Sequence, residues 1–353
     1  MKLNQLPQEL LLQIAEDLQS QQDINILCQV SRDLYHILNR QLYLYNIRYH
    51  NSNLLQWAAL HGSVGVVQTA LNYNADVNTT APISGTKLPN RFASQFCRDL
   101  RFELQRDLSN KAGGPLQFSL ARGAAPPLAL AAGAGYKDVA RCLLQNGATA
   151  DRTGVTGMTP LMMAAQGGHT DVVELLLQNG ADFSLRRHGQ SRTALELAAE
   201  QGHASVLEIL LQYGADPNQP SADPALTIAA DKGHVHVVQM LLDYGANIQV
   251  KSSSGMTALI NATDGDHVDV VRLLLQRGQD LESDDFQGVT LLMHAVRLGA
   301  VKVSKLLLHL GAEVNGTDEN SRTPLWWAVD RRDMDIIHML IENGAHRAPE
   351  DSA

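Results

Sequence analysis

Cysteine is scarce in this chain of 353 residues, which contains only three. Cys28, Cys97 and Cys142 are far apart and odd in number. They therefore supply neither a disulfide framework nor the paired spacing of a zinc site. Because disulfides are rare in reducing compartments, this usage predicts an intracellular location, in the cytoplasm, the nucleus or both.

Long apolar runs and an excess of positive charge are also missing. No apolar stretch approaches the roughly 18 residues that a membrane-spanning helix needs. Near the N-terminus, Gln8, Glu9 and Gln13 interrupt the apolar core that a signal peptide would need. The formal net charge of −9 argues against general nucleic-acid binding, which requires a basic surface. We therefore predict no membrane and no nucleic-acid partner.

What the chain does contain is one repeated template. The stretches MTPLMMAAQGGHTDVVELLLQNGAD (158–182) and RTALELAAEQGHASVLEILLQYGAD (192–216) share it. Further copies, some of them degenerate, occupy 53–76, 126–149, 224–247, 256–280, 289–313 and 322–346. In all copies but the first, the residue before a constant leucine lies at 127, 160, 194, 225, 258, 291 and 324. The period is about 33 residues, and the template resembles the ankyrin repeat.

Each copy has the pattern of two short helices. In 158–182, Thr159 is suited to cap the first helix, Pro160 to its first turn and Gly168 to its end. The run 172–177 makes the second helix apolar, and Gly180 stops it. One unit cannot bury these faces alone, so neighbouring units must stack. The sequence predicts an all-α fold in which a curved ankyrin-repeat solenoid contains about eight helix-pair repeats.

A segment at 79–124 interrupts the array between its first two repeats. Within it, NRFASQFCRDLRFELQRDL (90–108) places an apolar residue at every fourth position from Phe92 to Leu108. This spacing predicts an amphipathic helix. Two interpretations remain open. The segment is either an inserted helix or degenerate repeat packed on the solenoid, or a movable lid or partner-binding helix.

Residues 1–50 precede the array and contain three short helical signals. The first, LPQELLLQIAEDL (6–18), has a proline suited to a first helical turn and apolar residues at every fourth position. Together with DINILCQVSRDLYHIL (23–38), it resembles an F-box. The whole arrangement is similar to fungal proteins that join an F-box to ankyrin repeats. Three short helices make a module too small for a large core, so we expect it to pack against repeat one or against another protein.

The F-box resemblance implies an adaptor role. An F-box docks on the Skp-type linker of a cullin–RING ubiquitin ligase, and the repeat domain would then select the substrate. The apolar residues among the matching positions suit the core of the module equally well, whereas Pro7 and Glu9 have no core role. The positions that the resemblance assigns to linker binding are Leu6, Pro7, Glu9, Leu10, Ile14, Leu18, Val30 and Leu34.

These observations predict five segments. They are an F-box-like module (1–50), a first ankyrin repeat (51–78), the insert (79–124), repeats two to eight (125–348) and a disordered tail (349–353).

The ankyrin resemblance also names candidate substrate-binding residues, since ankyrin domains grip partners with hairpin tips and the inner helices of a concave face. One of the adjacent Trp326 and Trp327 is expected to pack against repeat seven, and the other either is structural as well or anchors a partner. The charges predict a surface that is basic in its middle and acidic toward the C-terminus, unless they are scattered over a solvated face. The candidates are Arg186, Arg187, His188, Arg192, Glu200, Lys232, Asp284, Asp285, Arg297, Asp318, Glu319 and Trp327.

Catalytic motifs are missing, since neither GxxxxGK[ST] nor GxSxG occurs. His234 and His267 superficially suggest metal ligands, but both occupy a position where ankyrin repeats ordinarily have histidine. We predict a monomeric, non-catalytic adaptor with no cofactor and no metal. Two alternatives remain: a ligase-independent scaffold capped by residues 1–50, and an enzyme or biosynthetic accessory with a pocket under the insert.

Overall fold

The computed structural model of the protein describes residues 53–80, 125–186, 192–283 and 288–346. These residues form sixteen α-helices in eight consecutive pairs, as the repeat pattern predicts. The only β-pairing in this part of the chain is an isolated antiparallel bridge between Lys251 and Thr257. The predicted F-box-like module (1–50), the helix predicted at 90–108 and the predicted tail (349–353) lie outside the described residues.

The chain divides into two compact units, residues 1–190 and 191–353. We call the first helix of each pair the inner helix and the second the outer helix. In the first unit, inner helices stack on inner helices and outer helices on outer helices. Its described helices are α1 (Asn53–Leu60), α2 (Val64–Asn72), α3 (Pro127–Ala134), α4 (Lys137–Gln145), α5 (Pro160–Gly167) and α6 (Thr170–Gln178).

The second unit contains repeats four to eight and stacks in the same way. Its first helices are α7 (Ala194–Gln201), α8 (Ala204–Gln212), α9 (Ala225–Asp231), α10 (Val235–Asp243) and α11 (Ala258–Asp264). The helices α12 (Val268–Gln276), α13 (Leu291–Leu298), α14 (Val301–His309), α15 (Pro324–Arg331) and α16 (Met334–Glu342) complete it.

Most inner helices are almost fully buried, because small side chains allow close stacking. In α3, Ala129, Ala131 and Ala132 are completely inaccessible to solvent. Ala164 and Ala165 of α5 are equally buried. Within each unit the core is therefore the interface between successive helix pairs, and no single pair has a core of its own.

The helix ends follow the signals in the sequence. Thr159 accepts a hydrogen bond from the Met162 amide at 3.2 Å, Pro160 is the first residue of α5, and Gly168 ends it in the left-handed conformation. Thr193 caps α7 in the same way, and the Glu196 carboxylate accepts a hydrogen bond from the Thr193 amide to complete a capping box. These caps satisfy amides that a helix leaves unpaired, so α5 and α7 each start at a fixed residue.

Asparagines connect the hairpins of successive repeats. The Asn218 side chain donates to the Gly245 carbonyl at 2.9 Å and accepts from the Asn247 amide at 2.7 Å. Asn315 makes the same pair of bonds to the Gly344 carbonyl and the His346 amide. Each hairpin is thereby fixed to the next one in the array.

Candidate protein-binding site

Eight of the predicted substrate contacts lie within the described residues, and all of these except Arg186 belong to the second unit. The eight predicted linker contacts, from Leu6 to Leu34, lie outside the described residues. So do four predicted substrate contacts: Arg187, His188, Asp284 and Asp285.

Charged side chains at repeats four and five pair with one another. Arg192 lies 2.5 Å from a Glu200 oxygen and 4.0 Å from Asp223. The Lys232 ammonium is 2.9 Å from Asp231, whose hydrogen bond and negative charge raise the pKa of Lys232 above its ordinary value. The cations in this part of the surface therefore have nearby carboxylates. Such exposed pairs contribute little to stability, but they remove the free positive charge that the sequence indicates here.

Histidines brace the ends of the inner helices. The Nε2 of His234 donates to the Glu200 carbonyl at 3.1 Å, and that of His267 donates to the Asp231 carbonyl at 2.9 Å. In the first unit, His169 contacts the Gly133 carbonyl in the same way at 3.0 Å. Each bond satisfies a carbonyl that the end of a helix leaves free. The Glu200 and Asp231 backbones are therefore fixed where their side chains reach the surface.

Arginine takes over this bracing role in the last repeat, where Asp333 stands at the position of the histidine. The Nη1 of Arg331 donates to the Arg297 carbonyl at 2.9 Å, and its guanidinium lies against Gly299. The sequence contains a signal for this contact. Because repeat eight lacks the histidine, some other side chain has to satisfy the end of α13.

Two tryptophans and two arginines form one cluster on repeats seven and eight. The rings of Trp326 and Trp327 meet edge to face, with centroids 5.0 Å apart and planes at 87°. The Arg322 guanidinium carbon lies 4.3 Å from the Trp327 ring centroid and 5.2 Å from that of Trp326. Arg297 approaches Trp327 at 5.8 Å. A guanidinium group is attracted to the face of an indole ring, so the arginines and tryptophans of this cluster stabilise one another.

Both indoles are half-buried. The Nε1 of Trp327 is buried and has no hydrogen-bond partner among the described residues. Trp327 therefore takes part in packing at the same time as it forms part of the surface.

Asp318 organises the turn before repeat eight. Its side chain is fully buried and accepts hydrogen bonds from the Asn320 and Arg322 amides and from the Arg322 Nε, all within 2.9 Å. Its neighbour Glu319 is exposed. Of these two predicted contacts, only Glu319 presents its carboxylate to solvent.

Replacing Asp318 with alanine should lower the free energy of unfolding by about 2 kcal/mol, because the Arg322 guanidinium and two amides lose their acceptor. Urea unfolding followed by circular dichroism measures this loss. Glu319→Ala is the matched control and should stay within about 0.5 kcal/mol of the wild type. Equal effects of the two changes would contradict the role assigned to Asp318.

Among the described residues, no three side chains of histidine, cysteine, aspartate or glutamate lie close enough together to hold a metal ion. Among the same residues, no helix has both the length and the apolar character needed to cross a bilayer. The Cys142 thiol is buried, and this burial raises its pKa above the ordinary value.

Comparison with known proteins agrees with this geometry. Residues 128–221, 195–285 and 280–351 match the family described as ankyrin repeats (3 copies). Residues 3–50 match the family described as F-box-like. The crystal structure of the human ASB11 ankyrin repeat domain is similar, with a TM-score of 0.58 and 25% identity over 63% of this chain and 99% of that one. No curated protein matches the chain.

Proposed function

The chain belongs to the ankyrin repeat family, and from this premise we propose that it is the substrate-recognition subunit of an SCF-type cullin–RING ubiquitin ligase. The observation that carries the proposal is the F-box-like match at residues 3–50, directly before the repeats. Ankyrin repeats and F-boxes are interaction modules. The protein would act by tethering, since holding a substrate next to the ligase raises its effective concentration without any chemistry in this chain.

In this proposal the F-box-like segment binds the Skp-type linker. The contacts would be made by Leu6, Pro7, Glu9, Leu10, Ile14, Leu18, Val30 and Leu34. Pro7 and Glu9 are the most informative of these, because a surface contact explains them and a small apolar core does not. The fungal type of F-box/ankyrin protein is the arrangement that the sequence resembles.

Substrate binding is assigned to the repeats. The braces at the inner-helix ends fix the backbone positions from which Glu200 and Arg297 project. A surface that is ordered before binding loses less conformational entropy when a partner arrives. Repeats four to eight are therefore suited to present a fixed pattern of charged and aromatic side chains.

Changing Leu6 and Pro7 together to alanine should weaken binding to the Skp-type linker by at least about tenfold, which corresponds to about 1.4 kcal/mol. The two changes remove an apolar contact and the proline that favours the first helical turn. Purified linker immobilised on beads, with the full-length chain in solution, provides the measurement.

Leu310→Ala is a suitable control for this experiment, since it removes an exposed leucine from an outer helix far along the array. It should bind the linker like the wild type. Failure of the wild type to bind would reject the ligase role and favour a scaffold in which residues 1–50 cap the array.

A further inference from the structure

Two arginines on repeats seven and eight lack the ion pairs that several other surface cations of the second unit form. Arg192, Lys232 and Arg277 each have a carboxylate within 4.0 Å. No such ion pair of Arg297 or Arg331 occurs among the described residues. Neither guanidinium therefore has a direct carboxylate partner in the part of the protein that the structure describes.

Both guanidinium groups are nevertheless held in place. Arg297 Nη2 donates to Nδ1 of the buried His294 at 3.0 Å, and the guanidinium carbon lies 5.8 Å from the Trp327 ring centroid. Arg331 Nη1 donates to the Arg297 carbonyl at 2.9 Å. Asp264 is 3.2 Å from the same His294 nitrogen but does not pair with either arginine. The Arg297 guanidinium is thus ordered by the His294 and Trp327 rings, and that of Arg331 by a backbone carbonyl.

Such an arrangement suits a carboxylate. A guanidinium has five donors in a rigid fork that matches the two oxygens of a carboxylate, and few donors of these two groups are used internally. Arg331 is exposed and Arg297 is half-buried, so both are open to a partner. The exposed carboxylates of Glu319 and Asp330 on the same repeat do not pair with them.

The net charge limits the class of partner. A chain with a formal charge of −9 repels long polyanions at a distance, which disfavours nucleic acid. A short acidic segment of a protein is repelled only weakly by this net charge. It also gains two charge-assisted hydrogen-bond contacts, one with each arginine. Charge complementarity of this kind fixes register more than it raises affinity.

We infer that the substrate presents a short acidic segment whose aspartate or glutamate carboxylates pair with Arg297 and Arg331 beside Trp327. This inference rests on the proposed function, because it names the class of substrate that the repeats would select. It places one end of the recognised segment on repeats seven and eight.

Peptide selection on the full-length chain tests the inference without a known substrate. A phage library of random dodecapeptides is selected against the wild type, and a synthetic copy of a selected peptide is titrated by fluorescence anisotropy. Enrichment in aspartate and glutamate is expected. Arg297→Gln combined with Arg331→Gln should weaken peptide binding at least tenfold, and added salt should weaken wild-type binding.

The matched control combines Arg272→Gln with Lys305→Gln. Both residues are exposed on outer helices, so the control changes the net charge equally and should keep wild-type affinity. Arg331→Gln alone replaces the double variant if thermal unfolding shows that the double variant is destabilised.

Several outcomes would overturn the inference: selected peptides that are neutral or basic, no selected peptide at all, or equal affinity in the arginine variant and the control. Tight binding of a single-stranded oligonucleotide through the same arginines would also overturn it in favour of a nucleic-acid site. Linker binding is measured on the same variants. Acidic peptides that bind while the linker does not would reject the ligase role alone.

Discussion

Leu307→Ala should lower the free energy of unfolding by about 2–5 kcal/mol, the range for truncating a buried leucine. Leu307 lies in α14, is completely inaccessible to solvent and belongs to an outer helix that packs on outer helices on both sides. The lost side chain leaves a cavity that two neighbouring repeats share. Leu310→Ala, at a leucine that is 45% exposed at the end of the same helix, should cost less than about 0.5 kcal/mol.

The two leucine variants also test how the array unfolds. Because each repeat contacts only its neighbours, damage in repeat seven weakens the attachment of repeat eight more than that of distant repeats. Urea unfolding of Leu307→Ala should therefore show an early partial loss of helical signal before the main transition. Equal midpoints for Leu307→Ala and Leu310→Ala would contradict the burial that distinguishes them.

Most of the repeat architecture could be predicted because its signals are local. Thr159, Pro160 and Gly168 mark a helix start and end through the backbone conformations they favour, and residues of the same kinds mark most of the other copies. Eight helix pairs follow from counting them. The role of the inner-helix alanines in tight stacking is local in the same sense, since only a small side chain allows two helices to approach closely.

The candidate site was harder to predict because its contacts depend on tertiary geometry. Arg192 precedes α7 and Glu200 lies near its end, so their ion pair requires the loop to return along the helix. Asp318 and Glu319 look equivalent in the sequence, yet the turn buries one and exposes the other. The local sequence pattern predicts which residues lie at a hairpin tip, but not the direction in which each side chain points.

A relation between successive repeats emerges only from the structure. Where a ring from the next repeat covers the end of an inner helix, that end has glycine, as at Gly202 beneath His234 and Gly233 beneath His267. The inner helix of repeat six is instead followed by Asp266, with a φ of 55°, at the position of the glycine. The next repeat has Ala300 in place of the histidine. The Asp266 carboxylate then accepts the Val303 amide at 2.8 Å. Glycine is thus required by the covering ring as well as by its own backbone angle.

Gly202→Ala should accordingly cost more than Gly214→Ala, although both glycines have positive φ angles, of 76° and 95°. A methyl group at Gly214 would meet nothing within 4 Å, so only the left-handed backbone penalty of about 1–2 kcal/mol applies. At Gly202 the methyl carbon would lie 2.6 Å from the His234 ring. The ring must move and give up its bond to the Glu200 carbonyl, which raises the expected cost to about 2–4 kcal/mol.

Combining Gly202→Ala with His234→Ala recreates the pairing of Asp266 with Ala300. The second change removes the ring that the new methyl group would strike, so the double variant should be more stable than the sum of the single costs predicts, by about 1 kcal/mol or more. Chemical denaturation of the wild type, the two single variants and the double variant measures this coupling energy. Additive costs would show that glycine is required at position 202 only because of its backbone angle, and not because of the His234 ring. A positive coupling would show that each histidine and the glycine beneath it act as one contact between repeats.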